Sequence, residues 1–296
     1  MFLFKRKFYI VLYLTSMQFT FGQQIDPKVN LYSINSTFQK LKTKYPFVEI
    51  VECPTSKNIK VSKDVVYRGK LLLDAYFPIN KTLKTPILMV HGGGWQSGSK
   101  ENYKDYAYQL ALQGYKVFTI NYTLSNTKTY PQPLIDIKNS IEWIRENYNL
   151  KGEKFILVGD SSGGQLVSLF GNKYSSDTKA IINIDGLLSF THPDAEETDS
   201  AIKFLGGPIE TNYNNWKEAS ALNYIHSKSP PTLIFKGNHK RFTAGIDDYK
   251  EQYKKLNLSI KVIDFQDAPH SFWLLQPWFD ETFYHILKYL IDLKIN

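Results

Sequence analysis

From about residue 70 onward, short apolar runs alternate with amphipathic stretches, and this alternation restricts the chain to folds built on a largely parallel sheet. The spacing predicts strands at 71–77, 86–90, 116–121, 154–158, 180–184, 232–236 and 260–265. Helical periodicity is clearest over 133–148, where Leu134, Ile137, Ile141, Ile144 and Tyr148 recur at spacings of three and four. Further helices are expected at 103–113, 162–172, 247–256 and 282–293. Residues 188–224 break the rhythm, mixing acidic residues with Phe204, Gly206, Gly207 and Trp216, and read as an insertion beside the sheet's carboxyl edge, a candidate cap. Residues 24–69 are expected to form a helix and a short antiparallel leader, with 64–69 turning into the first long strand, and carry no recognisable chemistry.

A chain of 296 residues with 43% hydrophobic content can bury one sizeable core and need not split into two, so residues 24–296 are read as one domain. Residues 1–23 read as a signal peptide: a basic cluster (Lys5, Arg6, Lys7), an apolar run from Phe8 to Leu14, then small and polar residues. That run stops well short of the ~20 apolar residues of a membrane-spanning helix. The expectation is export to the periplasm or beyond, with no stable membrane span after cleavage. The lone Cys53 precludes an intramolecular disulfide and precedes Pro54 with no histidine nearby, which makes it structural rather than nucleophilic. The net charge of +8 includes the three positives of the leader, which leaves a modest +5. The lysines form no dense stripe, so a nucleic-acid partner is disfavoured. No histidine pair has metal-ligand spacing, and neither a metal nor another cofactor is expected.

The chemistry concentrates at three places. Gly159-Asp160-Ser161-Ser162-Gly163-Gly164 follows the apolar run Phe155–Val158 and precedes a helix-compatible segment. A serine between strand and helix takes a strained turn, and glycines two positions to either side remove side chains that would collide there. Such a turn projects Oγ at a helix N-terminus, where developing negative charge is favoured. Asp160 and Ser162 read as turn residues, the Ser162 amide facing the substrate oxygen. Upstream, a predicted strand runs into His91-Gly92-Gly93-Gly94-Trp95, whose glycines let the backbone turn its amides inward. Gly93 and Gly94 would join Ser162 as donors to an oxyanion, while His91 braces the loop. A general base is expected after the last strand, where His270 stands. His192, His226, His239 and His285 fall in the insertion, in loops or on the final helix.

These motifs, together with Leu73-Asp74-Ala75-Tyr76-Phe77-Pro78, Ile120-Asn121-Tyr122 and Tyr130-Pro131, resemble the α/β-hydrolases of the esterase/lipase group with a His-Gly-Gly-Gly-Trp oxyanion motif. The chain is similar to the hormone-sensitive-lipase-like and the bifunctional feruloyl/acetyl esterases over most of residues 70–293. The resemblance implies an α/β-hydrolase fold, a mostly parallel sheet flanked by helices with a small insertion near the active site. It also implies a Ser-His-acid triad, no cofactor, and hydrolysis of carboxylic esters through an acyl-enzyme. One position departs from the family. The acid usually lies about three residues after the glycine that ends the strand 232–236, and Lys240 stands there. Asp185, at the end of the strand that follows the nucleophile helix, keeps the order Ser, Asp, His, as in pancreatic-type lipases. Asp247 or Asp248 is the rival, although an acidic pair opening a helix is simply explained as a cap and first-turn pair.

Trp95, Phe272, Trp273 and Trp278 cluster in sequence around these motifs and are expected to line the pocket's rim, suited to a sugar ring or a feruloyl group, or else to be core. The expected partner is a small-molecule or polysaccharide ester, with acetyl or feruloyl as the acyl group. A general short-chain carboxylesterase or lipase, a serine peptidase on the same fold and a binding protein descended from a hydrolase remain as competing classes. The oligomeric state is open.

Overall fold

The computed structural model describes residues 32–53, 56–79 and 84–294. The signal peptide read at 1–23 lies outside the described residues. The chain runs from α1 (Ile34–Leu41) through β1 (Glu49–Ile50), β2 (Ile59–Arg68), β3 (Leu71–Pro78) and β4 (Lys84–Val90) into α2 (Lys104–Leu112) and β5 (Tyr115–Ile120). There follow α3 (Gln132–Asn147), β6 (Phe155–Asp160), α4 (Ser162–Lys173), β7 (Thr178–Ile184), α5 (Asp199–Leu205) and α6 (Ile209–Glu218). Then come β8 (Thr232–Lys236), α7 (Ile246–Lys255), β9 (Ile260–Asp264), β10 (Leu275–Gln276) and α8 (Trp278–Asp292).

Eight strands form one sheet in the order β2-β3-β5-β4-β6-β7-β8-β9. β2, β3 and β5 pair antiparallel, and every pairing from β5 through β4 to β9 is parallel. The parallel strands read as continuous apolar runs because both faces are covered. Phe155–Asp160, for example, is buried throughout. One core cluster packs α3, α4 and α7 on one face, and the other packs α2 and α8 on the opposite face. The winding reverses at β4, with β5 on one side and β6 on the other, so the crevice past the carboxyl ends of β4 and β6 is the place where an open α/β sheet binds ligands.

The seven expected strands form with boundaries shifted by at most a few residues, and so do the five expected helices. The leader differs. β2 runs ten residues through 59–68, so 64–69 is mostly strand, and the turn into β3 is confined to Gly69 and Lys70. The reason is a register shift between Ser62 and Val65, with Asp64 at φ +56°, which breaks the alternation by which a strand is recognised. The segment 188–224 folds as α5, α6 and a short 3₁₀ turn between β7 and β8, beside the carboxyl edge of the sheet.

Candidate active site

Ser161 follows the last residue of β6 and caps α4 with φ +50° and ψ −119°, a conformation a serine holds only where its surroundings impose it. Its amide donates to the Ile184 carbonyl at 2.9 Å, which ties the turn to the adjacent strand. The flanking glycines are there for space. A Cβ at Gly163 would overlap the Val90 carbonyl, and one at Gly159 would overlap the Gly163 carbonyl. The α4 N-terminus is thereby drawn down against β4.

The loops that follow β6, β7 and β9 converge on this turn. His270 Nε2 lies 2.9 Å from Ser161 Oγ, and His270 Nδ1 lies 2.7 Å from Asp185 Oδ2. Asp185 is 1% exposed and directly follows β7 at φ +54°, and its other oxygen, Oδ1, accepts from the Gly237 amide at 2.9 Å. The acceptor beside Nδ1 requires the tautomer with the proton there, leaving Nε2 free to accept from the serine hydroxyl. Gly237 ends the strand after which the family usually places its acid. In this chain the turn offers a backbone donor to a carboxylate that comes from the neighbouring strand.

Asp247 and Asp248 are not brought to this group. They occupy the first turn of α7, whose N-cap is Gly245, and face outward: Asp247 pairs with Lys250 at 3.3 Å, and Asp248 lies 3.7 Å from His192. His91 is buried, stacks on Tyr122 at 4.5 Å, and its Nδ1 is 2.7 Å from the Gly92 carbonyl, the geometry of a brace within the glycine loop. Burial lowers its pKa to about 4, so it is a neutral donor. Gly94 and Ser162 border the same cavity as Ser161, with Gly93 one residue behind at φ +118°. Among the described residues, the amides of Gly93, Gly94 and Ser162 engage no protein acceptor. Two free amides beside Oγ are what an oxyanion site requires.

The cavity in front of Ser161 holds about 140 Å³. Leu187, Phe190, Ala201, Trp95 and Phe242 give it apolar walls, and Glu196, Thr198, Ser200 and Arg241 give it a polar rim. For its four aromatics the sequence left rim and core both open, and the structure separates them. Only Trp95 of the four lines the cavity. Phe272 and Trp273 are fully buried because the 3₁₀ turn Phe272–Leu274 folds back onto the core, and Trp278 packs at 5.6 and 5.5 Å on Tyr45 and Phe47 of the leader. The ring that matters instead is Phe242, stacked on the His270 imidazole at 3.4 Å, with Trp273 edge-on to the imidazole at 5.2 Å. The Arg241 guanidinium lies 4.5 Å over the Phe242 ring and donates to Glu196 at 2.6 Å. None of Phe190, Glu196, Thr198, Ser200, Arg241 and Phe242 stood out in the sequence, since nothing but chain topology brings them to the serine.

Comparison with known proteins sets this geometry in a family. Residues 73–244 match the BD-FAE family model. The chain belongs to the BD-FAE family. As a BD-FAE member it is similar to a putative alpha/beta hydrolase, R526, of Acanthamoeba polyphaga mimivirus, 22% identical over 86% of this chain and 82% of that protein. It is also similar to esterase LipC of Mycobacterium tuberculosis, 29% identical over 53% of this chain, though it spans only 45% of LipC's length. Among solved structures, a truncated carbohydrate esterase from gut microbiota superposes with a TM-score of 0.67 at 19% identity, covering 80% of this chain and 99% of that one. The fold is that of the α/β-hydrolase esterases, and this BD-FAE chain is a carboxylic-ester hydrolase.

Proposed function

We propose that the protein is an exported serine esterase that removes short acyl groups, acetyl above all, from carbohydrate esters through an acyl-enzyme on Ser161. The observation that carries this reading is the unbroken relay from Asp185 Oδ2 to His270 (2.7 Å) and from His270 Nε2 to Ser161 Oγ (2.9 Å) beside free backbone amides.

In the first half-reaction Oγ attacks the ester carbonyl while its proton passes to His270 Nε2. The carbonyl electron pair moves onto oxygen, where the amides of Ser162, Gly94 and Gly93 receive it. Asp185 stabilises the imidazolium and holds its orientation. Collapse of the tetrahedral adduct breaks the bond to the alcohol oxygen, which takes the proton back from Nε2. Water, deprotonated by the same imidazole, then attacks the acyl carbonyl, and Oγ leaves with the returned proton.

The cavity supports the short acyl group. A volume of about 140 Å³ is well below the ~300–1,000 Å³ of sites for drug-sized ligands, which favours a small acyl group such as acetyl against Phe190 and Ala201. The rim supports a hydroxyl-rich alcohol: Thr198, Ser200, Glu196 and Arg241 present donors and acceptors next to the Phe242 ring. The structural likeness to a carbohydrate esterase agrees. The test is release of acid or phenol from acetylated xylan, acetylated pectin, methyl ferulate and aryl acetates, each beside Ser161→Ala. Acetyl esters should be cleaved and methyl ferulate spared, with every activity lost in S161A. A folded wild-type protein inert on all four would point to a binding protein instead.

A further inference from the structure

We propose that Tyr32 is a positioning residue of the active site, its hydroxyl fixing, through the Asp160 carboxylate, the separation between the nucleophile turn and the glycine loop that receives the oxyanion. The proposal rests on the reading of Ser161 as nucleophile.

Asp160 is the residue immediately before Ser161 and is fully buried. Its Oδ1 accepts from the Gly92 amide at 2.9 Å, and its Oδ2 accepts from the Tyr32 hydroxyl at 2.9 Å. A Cβ at Gly92 would overlap this carboxylate, so the glycine loop lies directly on it. One side chain therefore spans the two backbone segments whose spacing decides whether the Gly93, Gly94 and Ser162 amides meet a developing oxyanion. Tyr32 comes from 128 residues upstream and is held on its own account. The Asn102 side chain donates to the Tyr32 carbonyl at 3.1 Å, and Ser33, the next residue, forms a capping box with Ser36 that fixes the start of α1.

The link has a protonic consequence. Burial raises the Asp160 pKa above the ordinary carboxylate value, and the Tyr103 hydroxyl, the Tyr32 hydroxyl and the Gly92 amide, in that order, oppose the rise. The other ionisable groups facing this carboxylate are Tyr103, Tyr106, Tyr122 and His270. Burial and the Asp160 charge keep the Tyr32 phenol protonated and donating. Without that donor, Asp160 takes up a proton at a higher pH and grips Gly92 less firmly.

Tyr32→Phe keeps the ring and removes one oxygen. Measured on an aryl acetate, with active sites titrated by a phosphonate so that kcat is per folded site, Y32F should lose about 10- to 100-fold in kcat with KM changed by less than about twofold. The acid limb of its kcat profile should move to higher pH. The second variant is Asp160→Asn, which keeps the shape of the side chain and an acceptor for Gly92. In the D160N background the Tyr32→Phe change should cost little further, because the link is already cut. Wild-type kcat and pH profile in Y32F would overturn the proposal, and so would a Tyr32→Phe loss undiminished in D160N. Ser161→Ala is run alongside: turnover surviving there would sink the reading of Ser161 itself, whereas a dead S161A with an unimpaired Y32F rejects only the Tyr32 link.

Discussion

Four residues near the cavity carry positive φ without being glycine: Trp95, Ser161, Asp185 and Ser271. Each belongs to, or adjoins, one component of the proposed machinery, as expected where backbone strain is kept because it aims a side chain. Asp185 is the residue on which the triad turns. With one carboxylate oxygen on Gly237 and the other on His270, an amide cannot satisfy the same two donors, and Asp185→Asn favours the wrong imidazole tautomer. Esterase kcat should fall about 10⁴-fold while Asp247→Asn changes little; the reverse ranking in parallel kinetics would move the acid to α7. His91 gives a stability prediction. Its folded pKa, about 4, lies below the unfolded value of 6.5, so the unfolded chain binds the extra proton in that window. Stability is full above about pH 6.5 and is lost as pH falls toward 4, by on the order of 3 kcal/mol from this group alone. His91→Gln should flatten that part of the stability-pH curve in denaturant titrations; an unchanged slope would show that His91 is not the acid-sensitive group. Ser161 and His270 were legible in the sequence because their local contexts, a glycine-flanked turn after an apolar run and a loop after the last strand, carry their own signatures. Tyr32 and Phe242 were not, since each reaches the site by a contact with no trace in its neighbours.

The parallel strands were legible for a physical reason: buried on both faces, they read as unbroken apolar runs. β2 was not, because it is an edge strand that carries Lys60, Lys63 and Asp64 toward solvent, as edges do to resist pairing with other chains, and is broken by its bulge. For Phe272 and Trp273 the sequence left rim and core both open, since it cannot show that a 3₁₀ turn folds back onto the core. The nucleophile turn is where an element meets its tightest constraint. Gly163→Ala would drive a Cβ into the Val90 carbonyl, so α4 must move off β4, at a cost of about 1–3 kcal/mol for an overpacked core position. The variant should melt lower and lose most of its activity; a fully active G163A would mean that the contact between α4 and β4 does not set the nucleophile's place. The register of β4, β6 and β7 puts Val90, Gly159 and Asn183 at one level, with Asp160 and Ile184 paired one residue further on, which is why loops from three strands meet.

Over the whole molecule, the insertion between β7 and β8 turns a general sheet-edge crevice into a small cavity with an apolar wall and a polar rim. Phe190 closes that wall, packing on Trp95 at 5.4 Å and on Trp216 at 5.8 Å. Phe190→Ala should cost about 3–5 kcal/mol of stability and raise the ratio of butyrate to acetate ester turnover; an unchanged ratio would place the acyl group elsewhere in the site. The proposed export belongs to this scale as well: sequencing the N-terminus of protein recovered outside the cytoplasm should find a chain cleaved near residue 23, and protein retained in the cytoplasm with its leader intact would contradict it. All of this depends on Ser161 becoming acylated. The most direct measurement is the intact mass of the protein quenched in acid within the first turnovers of an aryl acetate, with the adduct located by peptide mapping. The structure predicts one acetyl group per chain, on Ser161, and none in Ser161→Ala. Turnover with no acetylated serine, or with S161A still active, would contradict it.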